Sequence, residues 1–224
     1  MVVGALRTDE AVKYARDAKA LGAAAGLLAA VSYSPLTEDE VFEHFSTVAR
    51  ESGLRIVIYD NPGNTHFRFT PALIARLGQL PEILAMKNSA DRGDAIEGQL
   101  AHQKEILPKG FSIGYSGDWN ATAALIAGAD TWYSVLGGIL PEPCLAIVRA
   151  ARHGDHTEVH RIDATLAPVW ELFKTFSSLR IVYAIAELLE ICSAQPPRPI
   201  KPVSAAAKYQ VAEVPARLGS GPQS

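Results

Sequence analysis

The sequence alternates short apolar runs, rich in β-branched residues, with longer stretches of helical period. Five of the short runs predict strands, over residues 24–31, 55–59, 83–87, 111–115 and 131–136. The intervening stretches predict helices, over residues 8–21, 37–52, 70–77, 95–103, 119–127 and 141–152. Strands that are apolar throughout and separated by helices are typical of parallel strands buried on both faces. The pattern leaves two α/β architectures, a doubly wound sheet or a (β/α) barrel.

Two observations favour the barrel. No glycine-rich dinucleotide fingerprint follows any predicted strand, although a nucleotide-binding sheet would often have one. Polar and chemically capable residues instead collect just after the strands, at Tyr33, Tyr59, Lys87, Ser116 and Gly117. Barrel enzymes keep their chemistry at the C-terminal ends of their strands. We therefore predict a (β/α)8 TIM barrel.

The strand count predicts that part of this barrel has no counterpart in the chain. With a strand remnant at residues 1–5 there are six strand positions, whereas a closed barrel has eight. We expect an incomplete barrel over residues 1–155. A helical extension is expected to pack on it over residues 156–218, followed by a disordered tail at residues 219–224.

Charge and composition exclude several classes of function. The net charge is −3 and the charges are scattered, so no basic face predicts a nucleic-acid partner. No run approaches the roughly 20 apolar residues of a membrane span, and the N-terminus does not resemble a signal peptide. Cys144 and Cys192 both lie in apolar surroundings, which predicts buried thiols. We expect a cytoplasmic protein without membrane contact.

Three histidines form the most metal-like group in the sequence, at positions 153, 156 and 160. Zinc needs three or four converging ligands, and no acidic cleft accompanies these residues. The sequence favours a solvated helix face for all three, and no metal site is predicted.

Lys87 ends a buried strand, and this position can carry covalent chemistry. A low-dielectric environment favours the neutral amine, which can attack a keto group and form a Schiff base. Tyr59 ends the preceding strand and should face the same mouth, where a phenol can pass protons between amine and substrate. The alternative is a lysine that extends into solvent beside a rim aromatic.

Three motifs make the sequence resemble the dihydrodipicolinate synthase and N-acetylneuraminate lyase superfamily. IVIYDNPGNT resembles the strand that bears the family's tyrosine, and ILAMKNSAD resembles its Schiff-base lysine strand. GLLAAVSYSPLTEDEVFEHF is similar to the segment whose tyrosine joins the proton relay. The resemblance implies that Lys87 forms the Schiff base and that Tyr59 and Tyr33 are relay residues. It places Tyr33 in the site of a neighbouring subunit.

The resemblance also implies the binding residues and the assembly. FSIGYSGDW and TWYSVLGGILPE are similar to the last two strands, where Gly117 and the backbone at Tyr133 line the pyruvate pocket. The family uses no metal or organic cofactor and forms homo-oligomers, so a dimer or tetramer is expected.

Two departures from the family pattern bear on the reaction. Asn64 stands where dihydrodipicolinate synthases carry an arginine that grips the carboxylate of the aldehyde substrate, and an amide cannot make that bidentate pair. His66 and Arg68 lie close by in sequence and could substitute. The resemblance also implies that the barrel lacks about its first two β/α units. These units carry the family's Gly-Thr-Thr-Gly-Glu type loop, which binds the carboxylate of pyruvate.

The sequence thus predicts a lyase that performs Schiff-base aldol or retro-aldol chemistry on pyruvate or another 2-oxo acid. One alternative is an aldolase or dehydratase of 2-keto-3-deoxy sugar acids, which tolerates loss of the arginine. A second alternative is a non-catalytic family member.

Overall fold

A computed structural model describes residues 1–90 and 93–217 of the chain. Its sheet has five parallel strands, β1 (Gly26–Ala29), β2 (Ile56–Tyr59), β3 (Ile83–Ser89), β4 (Ser112–Ser116) and β5 (Thr131–Trp132). The strands lie side by side in the order in which they occur in the chain. This order is that of a (β/α) barrel, because a doubly wound sheet reverses its order at a switch point. The parallel α/β sheet is confirmed, and the number of β/α units that complete a barrel stays a prediction.

Ten α-helices accompany these strands in the described residues. They are α1 (Thr8–Ala20), α2 (Glu38–Ser52), α3 (Pro62–Thr65), α4 (Pro71–Gly78), α5 (Ile96–Ile106), α6 (Ala121–Ile126), α7 (Pro141–Arg152), α8 (His156–Phe176), α9 (Ser178–Leu188) and α10 (Ala205–Arg217). None of these helices is both long enough and apolar enough to cross a membrane.

The helix boundaries follow from capping chemistry that the sequence encodes. Thr37 accepts a hydrogen bond from the Glu40 backbone N–H, and the Glu40 carboxylate accepts one from the Thr37 N–H. This reciprocal pair satisfies two N–H groups at the start of α2. The helix ends at Gly53, whose φ of 61° lies in the left-handed region that glycine adopts without steric cost.

Before β1, the first residues of the chain form a short parallel bridge. Val2 pairs with Leu27, and the Val3 N–H donates to the Leu27 carbonyl at 3.0 Å. Val3 is buried, whereas Met1 and Val2 are exposed. The strand remnant predicted at residues 1–5 is therefore present as a single bridge beside β1.

The chain divides into two compact units. One consists of residues 1–117 together with Ala127–Tyr133, and it holds all five strands. The other comprises Asp118–Ile126 and the chain from Ser134 onward. The predicted domain boundary after residue 155 stays a prediction, and the tail predicted as disordered, residues 219–224, lies outside the described residues.

The predicted strand over residues 131–136 is wrong in length. Only Thr131–Trp132 forms β5, and a 3-10 turn covers Leu136–Gly138. The buried Asp118 carboxylate accepts the N–H groups of Val135 and Leu136, at 3.0 and 2.8 Å. Those N–H groups are therefore unavailable to a sheet ladder, which is why the apolar run does not continue as a strand.

The prediction of two buried thiols is correct for Cys144 and wrong for Cys192, which is exposed. Cys192 follows the end of α9, where Glu190 adopts a left-handed φ of 56°. The N–H groups of Ile191 and Cys192 both point back to the Ala186 carbonyl. This turn directs the chain away from the helix, so the apolar neighbours in sequence do not cover the thiol.

The histidines at positions 153, 156 and 160 are all exposed, as a solvated helix face requires. Within the described ranges, no group of three potential ligands could hold a metal ion.

Candidate active site

One row of the sheet carries two of the residues that the sequence singled out, Tyr59 and Lys87. Pairing between neighbouring strands aligns Ala29 with Tyr59, Tyr59 with Lys87, Lys87 with Gly114, and Gly114 with Thr131. Lys87 thus lies in the middle of the row, with Tyr59 on one side and Gly114 on the other. All these residues belong to the unit that holds the sheet.

The Lys87 amine lies between two aromatic rings. Its Nζ is 4.2 Å from the centroid of the Tyr59 ring and 5.7 Å from that of the Tyr133 ring. Ring faces attract a cation through their quadrupole. Among the described residues Nζ makes no hydrogen bond or ion pair, so its donors remain available to a ligand.

The Tyr59 hydroxyl is held by its neighbour in the following turn. Asn61 donates a side-chain N–H to the phenol oxygen at 2.9 Å. The Asn61 carbonyl accepts the N–H groups of Asn64 and Thr65, at 3.0 and 2.9 Å, which closes the one-turn helix α3. Because the phenol oxygen accepts from Asn61, its own proton is free to point elsewhere.

Gly114 makes room for the second ring. A Cβ at this position would lie 2.6 Å from Cε2 of Tyr133 and 2.6 Å from the Thr131 carbonyl oxygen. Both distances are far below van der Waals contact. A glycine in β4 therefore lets Tyr133 lie against the strand backbone on the side of Lys87. Burial raises the pKa of the Tyr133 phenol.

The ends of β3 and β4 are joined next to the row. The Ser116 hydroxyl donates to the Asn88 carbonyl at 3.0 Å, and the Ala90 N–H donates to the Ser116 carbonyl at 2.9 Å. Gly117 follows directly with a φ of 93°, a conformation that side-chain-bearing residues rarely adopt. The backbone at Gly117 is thereby fixed at the carboxyl end of the sheet.

The face of β3 opposite Lys87 is locked to α5 by two amides. Asn88 and Gln103 exchange hydrogen bonds of 2.9 and 2.8 Å, and Asn88 also donates to the Gly114 carbonyl at 3.3 Å. Both side chains are buried. Successive strand residues point to opposite faces, so fixing Asn88 fixes the direction of Lys87.

Two of the predicted site residues are not brought to Lys87. Tyr33 is 99% exposed, and within the described chain its side chain makes no hydrogen bond or ring contact. Asn64, on α3, is exposed. His66 and Arg68, which follow that helix, are exposed as well. The structure therefore brings the rings of Tyr59 and Tyr133 to the Lys87 amine, while the roles predicted for all six site residues remain predictions.

Sequence reasoning missed Asn61, Gly114 and the Asn88–Gln103 pair. Gly114 did carry a signal, because an isolated glycine inside a strand indicates close approach of another group. Asn88 carried one too, since a polar residue within an apolar strand needs a buried partner. Asn61 carried none beyond its place after Tyr59.

Comparison with known proteins gives this arrangement a family. Residues 1–216 match the Dihydrodipicolinate synthetase family. The chain belongs to that family. It is 30% identical to a 4-hydroxy-tetrahydrodipicolinate synthase of Methylococcus capsulatus over 83% of this chain and 62% of that protein. A second such enzyme, from Alcanivorax borkumensis, is 30% identical over 96% of this chain and 72% of the relative. The chain thus spans 62% and 72% of the lengths of these two curated relatives.

Solved structures of the family share the fold. A crystal structure of dihydrodipicolinate synthase from Agrobacterium tumefaciens is 48% identical, with a TM-score of 0.93 over 97% of this chain and 73% of that one. The enzyme of that name from Thermotoga maritima is 21% identical, with a TM-score of 0.91 over 98% of this chain and 75% of that one. At that lower identity the likeness concerns the fold alone.

We predict that Gln103→Leu destabilises the protein by about 1–3 kcal/mol, because it leaves the buried Asn88 amide without its main partner. The measurement is the urea concentration at the midpoint of unfolding, monitored by circular dichroism. Gln99→Leu is the matched control, since Gln99 is exposed on α5 and accepts a long hydrogen bond from the Tyr115 hydroxyl, at 3.3 Å. Equal midpoints for the two variants would show that the amide pair contributes nothing specific.

Proposed function

We propose that this chain is a Schiff-base-forming lyase that acts on pyruvate or another 2-oxo acid. The observation that carries the proposal is the position of the Lys87 amine, 4.2 Å from the Tyr59 ring. Tyr59 ends β2, and Lys87 lies two residues before the end of the adjacent parallel strand β3. Enzymes with this architecture keep their catalytic residues at this end of the strands. Membership of a lyase family supports the same class of reaction.

In the proposed reaction, the neutral Lys87 amine attacks the keto carbon of the 2-oxo acid. The new carbon–nitrogen bond gives a carbinolamine, whose hydroxyl leaves as water after it takes a proton. The resulting iminium withdraws electrons from the neighbouring carbon, which then loses a proton and becomes a nucleophilic enamine. Tyr59 is the group that passes these protons, because its ring lies against the amine and its hydroxyl proton is not used by Asn61.

The remaining predicted residues take supporting roles in this proposal. Gly117 and the backbone at Tyr133 line the pocket for the 2-oxo acid, next to the joined ends of β3 and β4. Tyr33 serves the site of a neighbouring subunit, a role supported by its exposure of 99%. The active form is accordingly a homo-oligomer, and the chemistry needs no organic cofactor.

Asn64 favours a second candidate for the substrate. A carboxylate-bearing aldehyde would be gripped by a guanidinium here, and the amide offers no charge. A 2-keto-3-deoxy sugar acid gives an uncharged aldehyde on cleavage, so it does not need that contact. We therefore place such sugar acids beside pyruvate as candidate substrates.

The first prediction from the proposed function concerns Lys87 as the residue that forms the covalent bond. Borohydride added in the presence of pyruvate should reduce the imine and leave a stable adduct on Lys87, found by peptide mass analysis. Lys87→Arg should abolish the adduct, because a guanidinium stays protonated and is not a nucleophile. Lys104→Arg is the matched control, since Lys104 lies on α5 with its amine bonded to the Gly128 carbonyl. An adduct on another lysine, or none on the native chain, would refute the proposal.

The second prediction concerns Asn61. Asn61→Ala should slow the exchange of pyruvate methyl protons for deuterium by about 10-fold, the equivalent of one hydrogen bond of about 1.4 kcal/mol. Asn61→Asp should slow it further, because a carboxylate accepts the Tyr59 proton instead of leaving it free. Proton NMR in deuterium oxide measures the exchange, and the extent of borohydride trapping confirms that Lys87 stays accessible. Exchange at the native rate in both variants would contradict the role given to Tyr59.

The third prediction concerns Asn64 and the aldehyde. Condensation of pyruvate with aspartate semialdehyde should be weak, and Asn64→Arg should raise its kcat/KM by about 10-fold or more through a charge-assisted pair with the carboxylate. Asn64→Gln is the control for side-chain size. Efficient turnover by the native chain would mean that another group, such as His66 or Arg68, already grips the carboxylate.

A further inference from the structure

The ring of Tyr133 lies close to the atom that reacts in the proposed function. The family resemblance implies only a backbone role for position 133, yet its ring centroid is 5.7 Å from the Lys87 amine, which lies over the ring face. The Tyr59 ring faces the same amine at 4.2 Å. Across residues 1–90 and 93–217 no carboxylate pairs with this nitrogen. Two aromatic faces therefore lie beside it where an anion would otherwise balance a positive charge.

The backbone of β4 sets the position of this ring. Gly114 is the residue of β4 that pairs with Lys87. A Cβ on Gly114 would lie 2.6 Å from Cε2 of the Tyr133 ring, well inside van der Waals contact. The close approach is made by a ring carbon, so the placement of the ring next to Lys87 does not depend on where its hydroxyl points.

The proposed reaction creates a positive charge on this nitrogen. The neutral amine attacks the keto carbon and gives a carbinolamine. Its hydroxyl takes a proton through Tyr59 and leaves as water, while the nitrogen lone pair completes the carbon–nitrogen double bond of the iminium. Nζ of Lys87 is itself the iminium nitrogen, so the charge forms on the atom whose distances to both rings are known. Ring faces attract a cation through their quadrupole, whereas the carbinolamine nitrogen carries no charge to attract.

The iminium gains more from a ring face than the ammonium form of the free lysine does. An ammonium group has three N–H donors and is strongly hydrated, so contact with a ring costs it water. An iminium nitrogen has a single N–H and lies in a flat group, which can lie against a ring face with less loss of water. A ring in this position therefore shifts the equilibrium toward the imine.

We propose that the aromatic face of Tyr133 stabilises the Lys87 iminium and so raises the fraction of the protein that holds a 2-oxo acid as an imine. This inference rests on the Schiff-base function proposed above. The role belongs to the ring and needs no hydroxyl, which separates it from the proton transfer proposed for Tyr59. It also gives Gly114 a function, because the ring fits beside the strand only while that position has no side chain.

The test changes the charge distribution of the ring while its shape stays nearly constant. Tyr133→Phe is the parent, and phenylalanines with one, two and three ring fluorines are placed at position 133 by suppression of an amber codon. Fluorine withdraws electrons and weakens the attraction of the ring face for a cation. The measurement is the apparent Kd of pyruvate, from the concentration dependence of borohydride trapping on Lys87. Tyr133→Phe should stay within about 2-fold of the native value, and three fluorines should raise the Kd by about 5-fold, in similar steps per fluorine.

The same series at position 115 is the matched control. Tyr115 is a buried phenol on β4, and its hydroxyl donates to Gln99 on α5 at 3.3 Å. Fluorines on this ring should leave the Kd of pyruvate unchanged. Tyr133→Leu gives a second measure, because it removes the ring and keeps an apolar side chain. It should raise the Kd by about 5-fold, and urea unfolding shows whether the variant is folded.

The outcomes separate this inference from the proposed function. A Kd that stays constant across the series at position 133, or that rises equally in both series, would overturn the inference alone, since trapping on Lys87 would still take place. Absence of a borohydride adduct on Lys87 in the native chain would overturn the proposed function, and this inference with it.

Discussion

The hydrogen bonds between Asn88 and Gln103 are the interaction on which the arrangement of the site depends. Two buried amides that satisfy each other tie β3 to α5 at one register, because any slip would leave polar groups buried without partners. The two-residue period of a strand then turns Lys87 to the opposite face. Asn88, on one face of β3, thus serves stability. Lys87, the adjacent residue on the other face, is not needed for that contact.

In the part of the chain that the structure describes, the Lys87 amine lies between aromatic rings and not beside an oppositely charged group. Aromatic faces give it a modest attraction that falls short of an ion pair. In the proposed reaction, a keto acid would therefore compete with rings and not with a carboxylate. A buried carboxylate would fix the nitrogen as an ammonium ion and oppose nucleophilic attack. In the proposed reaction, the pairing of a lysine with phenols therefore serves positioning and reactivity together.

Much of the fold could be predicted from sequence, because its signals are local. Apolar runs marked the strands, the Thr37 and Glu40 spacing marked the start of α2, and the ends of β2 and β3 brought Tyr59 beside Lys87. The end of β5 could not be predicted, because it depends on a carboxylate distant in sequence, Asp118. The ring of Tyr133 was missed for a similar reason. Its position depends on the absence of a side chain on another strand.

Gly114 limits the order in which relatives of this protein could have diverged. An alanine there would collide with the Thr131 carbonyl as well as with the Tyr133 ring, so the backbone of β5 must shift before any side chain is accepted. The ring at position 133 can shrink while glycine remains, whereas the glycine cannot be replaced while the ring remains. Relatives that differ at these positions should therefore have changed the aromatic residue first, and β4 should record the older state.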